Sequence, residues 1–265
     1  MSKIRFSRKH LTIPYALFLL VFVILPLLLI VYYAFTDAEG NLSLSNLTTF
    51  FSSGTKITIL INSIIIGAFN TILCVLIGYP IAMILSNKKY NKSGIMILLF
   101  IMPMWINFVL RTAATRDALY WIGIDGATKP VLSTMIGMVY NYLPFAILPM
   151  YTTMLKMDRN LIEASYDLGA NKAVTFVKTI IPMTMPGVIS AASMVFMPTM
   201  SSYVICDILG NGKVYLIGKS IQESFDNSLW NAGSFMALVM LLMIAITLLI
   251  TKNKDKDSSV RGSIW

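Results

Sequence analysis

Residues 130–155 read PVLSTMIGMVYNYLPFAILPMYTTML, and residues 156–182 continue KMDRNLIEASYDLGANKAVTFVKTIIP. The first stretch runs for 26 residues without Asp, Glu, Lys or Arg. A bilayer-crossing helix needs about 20 mostly apolar residues, so this stretch is long enough to span. The second stretch restores charge at once, with Lys156, Asp158, Arg159, Glu163 and Asp167, and so ends the span in water. Five other stretches share the first one's character: Leu11–Thr36, Ile57–Asn87, Ser93–Leu110, Thr179–Cys206 and Asn227–Thr251. The shortest, Ser93–Leu110, is expected to borrow Arg111 and Thr112. Period-2 alternation does not run long enough for a barrel. Prolines 26, 103, 144, 149, 186 and 198 do not veto helices, because neighbouring helices satisfy the freed backbone groups.

The whole chain agrees with its spans. Of 265 residues, 57% are hydrophobic and 12% charged, with a mean hydropathy of +0.74. A soluble domain carries about 25% charged residues, so too few charges are present to clothe a water-facing surface. Disorder is excluded too, since disordered chains are poor in apolar residues. The expected fold is an all-α integral membrane protein with six transmembrane helices, forming a single domain over residues 1–265. The first span carries no small-x-small cleavage site before Asp37 and reads as an uncleaved helix.

Charge distribution sets the expected orientation. With the N-terminus in the cytoplasm, inside segments hold 15 Lys and Arg, from Lys3, Arg5, Arg8 and Lys9 to Lys252, Lys254, Lys256 and Arg261, against six outside. This positive-inside bias places both termini in the cytoplasm and accounts for the net charge of +9 without nucleic acid. Cys74 and Cys206 lie in apolar stretches, and the single His10 lies in the basic N-terminal segment, so no metal or nucleophile constellation is expected. No carboxylate sits deep in a span, which argues against a proton- or sodium-coupled carrier and points to energy supplied by another subunit. Residues 212–220, GKVYLIGKS, imitate a phosphate loop. That motif needs four residues between its glycines, however, and here there are five. The segment from Leu216 to Phe225 reads instead as an external amphipathic helix on the membrane surface.

The loop after the 130–155 span carries the most information. Asn160 with Glu163 suggests a capping box. Leu161, Ser165 and Leu168 share a helical face, Gly169 is placed to end that helix, and Asn171 to begin another. Pro182 marks the entry to the fifth span. A membrane-surface linker would satisfy the same pattern. Glu163-Ala164-Ser165, three residues, Gly169, then Pro182 also resembles the Glu-Ala-Ala signature of ABC importer permeases, whose pattern continues Gly, nine residues, Ile-x-Leu-Pro. The chain departs from it at Ser165, Thr179 and Ile181. The resemblance implies a cytoplasmic coupling helix, within residues 156–181, that docks into an ATPase through Glu163, Ala164, Ser165, Asp167, Leu168, Gly169 and Pro182.

The likeness extends over about residues 57–251, leaving 252–265 as a cytoplasmic tail. Asn62-Ser63 and Gly78-Tyr79-Pro80 resemble permeases of MetI-like fold. Pro103-x-Trp105, Leu110-Arg111-Thr112, Tyr142-Leu143-Pro144-Phe145, Asp167-Leu168-Gly169-Ala170 and Tyr203-Val204 before Asp207 resemble the PotB-type permeases of spermidine/putrescine transporters. That resemblance implies a permease subunit of the bacterial cytoplasmic membrane with no cofactor of its own. ATP and Mg would be held on a partner ATPase dimer, beside a second permease subunit and an extracytoplasmic substrate-binding protein. Other solutes (an amino acid, thiosulfate or iron) and an ion-gradient carrier are the alternatives. A polyamine path would use aromatic faces and few carboxylates, with Trp105 and Tyr203 as faces and Asp207 as the outward carboxylate. Tyr140 and Tyr142 are expected in the interfacial aromatic belt, and Arg111 as an anchor or pairing partner.

Overall fold

A computed structural model describes residues 12–37, 39–87, 91 and 94–262, with side chains to residue 249. The basic N-terminal residues Lys3 to His10 and the loop lysines Lys88, Lys89 and Lys92 lie outside the described residues. Among the described residues every regular element is helical, apart from one β-bridge between Thr36 and Leu42. In chain order the helices are α1 (Thr12–Ala34), α2 (Ser45–Ser52), α3 (Gly54–Ser86), α4 (Ile95–Trp105) and α5 (Phe108–Trp121). They continue with α6 (Pro130–Leu155), α7 (Asn160–Asp167), α8 (Lys172–Met200), α9 (Val204–Ile208), α10 (Ile217–Asp226) and α11 (Trp230–Gly262).

Five of the six expected spans are single continuous helical runs, in α1, α3, α6, α8 and α11. The third differs from expectation: α4 and α5 meet at a 96° bend instead of forming one rod that borrows Arg111 and Thr112. The cause is local. Pro103 lies in a tight turn at the end of α4, Met102–Trp105, and the Asn107 side chain caps α5 by accepting from the Val109 and Leu110 N–H groups. The other five interior prolines sit inside continuous helical runs, as the sequence suggested.

Pro182 also needs a correction. The helix does not begin there: α8 starts at Lys172, capped by Asn171, whose side chain accepts from Val174 N–H at 2.9 Å. A wide π-type turn, Phe176–Ile180, precedes Pro182, and a second one, Leu20–Ile24, precedes Pro26. Proline offers no N–H, and its ring crowds the carbonyl four residues back; a widened turn just upstream relieves both.

The described chain divides into two compact units. One comprises the described residues up to Ile57 together with Ser220–Leu242; the other comprises Thr58–Lys219 and the described residues from Met243 onward. In the first unit, two asparagines close the C-terminal end of α1, whose last carbonyls have no helical partner. Asn46 donates to the Ala34 and Thr36 carbonyls, and Asn231 donates to those of Thr36 and Asp37. Phe50 packs tilted against Phe235, with ring centroids 5.5 Å apart.

The second unit centres on α6 and α8, which approach so closely at Gly187 that a Cβ there would lie 2.6 Å from Thr153 Oγ1. Asn70 of α3 donates to Thr199 of α8 at 2.8 Å, and Tyr79 shares a hydrogen bond with Thr184 at 2.8 Å. Gly67, Gly78 and Gly137 serve close approach. Gly94 does not: among the described residues nothing lies within 4 Å of where its Cβ would stand, and its φ of +70° makes it the turn residue before α4.

Candidate functional site: an exposed end helix and a self-paired carboxylate

Two clusters of the second unit carry the residues that the sequence singled out. The first is α7. Its start differs from the expected capping box, because Asp158 accepts the Asn160 N–H at 3.0 Å and Glu163 does not fold back. Its end is as expected. Gly169 adopts φ +82°, the Gly169 N–H returns to Tyr166 O and the Ala170 N–H to Ser165 O, so the last carbonyls are satisfied.

Ser165 faces α8. Its hydroxyl shares a hydrogen bond with the buried Thr175 at 3.0 Å and accepts one from Thr179 at 3.4 Å. The two departures from the Glu-Ala-Ala pattern at Ser165 and Thr179 are therefore one feature, a hydroxyl contact in place of an apolar one. Much of the rest of α7 is open. Leu168 is 89% exposed, and Leu161 and Tyr166 are also exposed. Glu163 and Arg159 border a cavity of about 350 Å³ whose walls include Met83 and Asn87 of the α3 end and Met154 of α6. Pro182 stands further along α8, beyond the wide turn.

The second cluster lies past the other end of α8. Asp207 sits one turn after Tyr203, its N–H bonded to the Tyr203 carbonyl at 2.9 Å. Its carboxylate is half exposed and pairs with Lys219 at 2.7 Å. Lys219 is buried, donates to Gly212 O at 3.0 Å, and stands 4.4 Å from the centre of the Tyr215 ring. A carboxylate, a carbonyl and an aromatic face thus surround one ammonium group.

The expected surface helix is accordingly corrected at its start. Leu216, Ile217, Gly218 and Lys219 are buried, Ile217 N–H donates to Ser63 Oγ at 2.7 Å, and a Cβ on Gly218 would lie 2.3 Å from Ser201 O. Lys219, the lysine of the phosphate-loop imitation, is held in an ion pair, and no strand precedes it.

Of the proposed path residues, Tyr203 and Asp207 come together, and Trp105 stands apart from them. Tyr203 borders a cavity of about 140 Å³ with Phe108, Tyr142 and Pro198, whereas Trp105 is 81% exposed at the α4–α5 bend. Tyr142 is not in a belt; it is buried and donates to Pro198 O at 3.2 Å. Arg111, expected as an anchor or pairing partner, is buried at 7% exposure. It donates from Nε to Asn141 Oδ1 at 2.8 Å and from Nη1 to Pro103 O at 2.9 Å, tying the bend to α6. The buried state of Arg111 and Lys219 was missed because both were counted by sequence position alone. The apolar residues flanking Lys219 (Val214, Leu216, Ile217) were the available signal.

Comparison with known proteins agrees with this architecture. Residues 5–258 match the family model described as binding-protein-dependent transport system inner membrane component. The spermidine/putrescine transport system permease protein PotB of Haemophilus influenzae is 31% identical over 259 residues, covering 90% of each chain. PotB of Escherichia coli K12 is 31% identical over 207 residues, covering 72% of this chain and 75% of that protein. A chain in the crystal structure of a bacterial alginate ABC transporter, in complex with alginate pentasaccharide-bound periplasmic protein, superposes with a TM-score of 0.68. That match is 12% identical and covers 92% of this chain and 91% of the other, so it speaks for the fold. The exposed end helix, the broken third span and these matches have one conclusion: the chain belongs to the family of binding-protein-dependent transport system inner membrane components, permeases of MetI-like fold that cross the bacterial inner membrane several times.

Proposed function

We propose that the chain is the permease subunit of an ATP-driven importer of polyamines, spermidine or putrescine, with its energy supplied by a separate ATPase dimer. The observation that carries the coupling reading is α7: a capped short helix whose Leu168 is 89% exposed and whose Glu163 borders an open cavity. The named function of the PotB relatives supports the choice of solute. In this reading α7 faces the cytoplasm, both termini lie inside, and ATP and Mg bind on the ATPase dimer. A second permease chain and an extracytoplasmic binding protein complete the transporter.

The hydrogen bonds give the coupling a physical route. Closure of the ATPases moves α7, whose Ser165 is tied to Thr175 and Thr179 of α8. The 29 residues of α8 form an unbroken helix of about 43 Å, at about 1.5 Å per residue. The displacement therefore reaches Met200, three residues before Tyr203 and seven before Asp207. An ammonium group of the solute would meet the Tyr203 ring and the exposed side of Asp207, with Trp105 as a further aromatic face.

The test is uptake of radiolabelled spermidine by proteoliposomes holding the complete complex. Glu163→Ala is expected to keep membrane insertion and basal ATP hydrolysis while lowering uptake at least tenfold, the size of a coupling of about 1.4 kcal/mol. Wild-type uptake by that variant would overturn the coupling role. Transport of another solute in place of both spermidine and putrescine would overturn the polyamine reading alone.

A further inference from the structure

We propose that the groove between α5 and α6 seats a membrane helix of the second permease chain, and that this helix presents a carboxylate to Arg111. The inference rests on the permease-pair reading above and adds the surface and the chemistry of the contact.

Arg111 is more than nine-tenths buried, and both of its hydrogen-bond acceptors are neutral: Asn141 Oδ1 and Pro103 O. The Asn141 amide is fixed in that pose because its Nδ2 donates to Gly137 O at 2.8 Å. The Phe108 and Tyr140 rings lie 5.9 Å away. A guanidinium carries five N–H donors, so the two bonds leave three without a described acceptor. Among the described residues no carboxylate pairs with it. Arg111 opens onto a groove of about 570 Å³, lined also by Leu110, Ala114, Ala118, Ile136 and Tyr140.

Two independent features of this groove point to a helix. Ala114 and Ala118 are exposed and one turn apart on α5, which lets another backbone approach closely. The under-supplied guanidinium then requires an acceptor at the same place, because a buried charge is retained only where it is paired. Lipid tails offer no acceptor, and a polyamine would be repelled. A second copy of this chain is a poor match: α1, α3, α6, α8 and the 230–249 part of α11 contain no Asp or Glu. Asp117 of α5 is exposed and already paired with Arg116 at 2.9 Å. The occupant is therefore a different chain that carries a carboxylate inside a spanning helix.

The test places the photo-crosslinker benzoylphenylalanine at Ala114 or Ala118 in the complete transporter in native membranes. The expected adduct joins the second permease through a segment that contains Asp or Glu, while Leu76, exposed on α3 and not lining the groove, gives none. Ala118→Trp fills the groove two turns away from Arg111, and is expected to lower recovery of the second permease at least tenfold with the chain itself still monodisperse. Arg111→Glu is expected to do the same, with recovery restored when the cross-linked carboxylate is replaced by Arg. Adducts only with lipid or with a second copy of this chain, a cross-linked segment without Asp or Glu, or unchanged recovery in both variants would each overturn the inference. Recovery of a second permease with the unmodified chain reports on the permease-pair reading separately.

Discussion

Gly218→Ala is expected to loosen the start of α10 and detach Lys219 from Asp207. A Cβ at this position would stand 2.3 Å from Ser201 O and 2.4 Å from Ser201 C, both backbone atoms that cannot rotate away. Ordinary contact lies near 3.5 Å, so the helix start must withdraw by about 1 Å. That movement stretches the 2.7 Å bond from Ile217 N–H to Ser63 Oγ beyond hydrogen-bonding range. Overpacking costs about 1–3 kcal/mol and a buried unpaired N–H another 1–3 kcal/mol or so, which gives about 4 kcal/mol together. At about 2–4 °C per kcal/mol, the melting temperature should fall by about 8–16 °C. The assay is thermal unfolding of the purified protein in mild detergent, read by size-exclusion fluorescence. Two controls bracket it. Gly54→Ala meets nothing within 4 Å and should be silent, whereas Gly137→Ala meets the rotatable end of Leu209 and should cost less than Gly218→Ala. A Gly218→Ala melting temperature within about 2 °C of wild type would refute the close-approach reasoning.

The ion pair at Asp207 should respond asymmetrically. Asp207→Asn strands a buried ammonium and is expected to cost about 2–3 kcal/mol, while Lys219→Met leaves a half-exposed carboxylate that water can solvate and costs about 1 kcal/mol; the reverse order of melting temperatures would contradict the pairing. The hydroxyl contact between α7 and α8 should appear in a double-mutant cycle of Ser165→Ala and Thr179→Ile. The interaction energy is expected to be about 0.5–1 kcal/mol, measured by hydrogen exchange over residues 160–180, and strict additivity would show that the contact is absent.

The spans were readable because the bilayer demands one simple thing, a long run without charge, and α6 meets it residue by residue and α3 from Ile57 onward. The break in the third span was not, because hydropathy averages over a window while the bend is made by two side chains. Pro103 and the Asn107 cap act on one turn each, and both residues are ordinary members of an apolar stretch. The wide turns before Pro26 and Pro182 were hidden for a similar reason: proline predicts a disturbed hydrogen bond, not whether the helix stops or widens to absorb it. At α7 the terminator Gly169 and the neighbouring cap Asn171 were both legible, since each follows from a backbone requirement within a few residues.

The buried cations mark where sequence position misleads most. By sequence position Arg111 falls at the end of the third span and Lys219 in an external surface helix, where a charge would meet water. Each is instead enclosed, and each is held by groups that lie far along the chain or in a bent backbone: Asn141 and the Pro103 carbonyl for one, Asp207 and the Gly212 carbonyl for the other. Desolvation makes such a cation expensive unless those partners are in place. Lys219 has a carboxylate beside it within its own unit. Among the described residues Arg111 has only neutral acceptors, beside an open groove, so of the two it is the one whose burial needs an acceptor from a second chain.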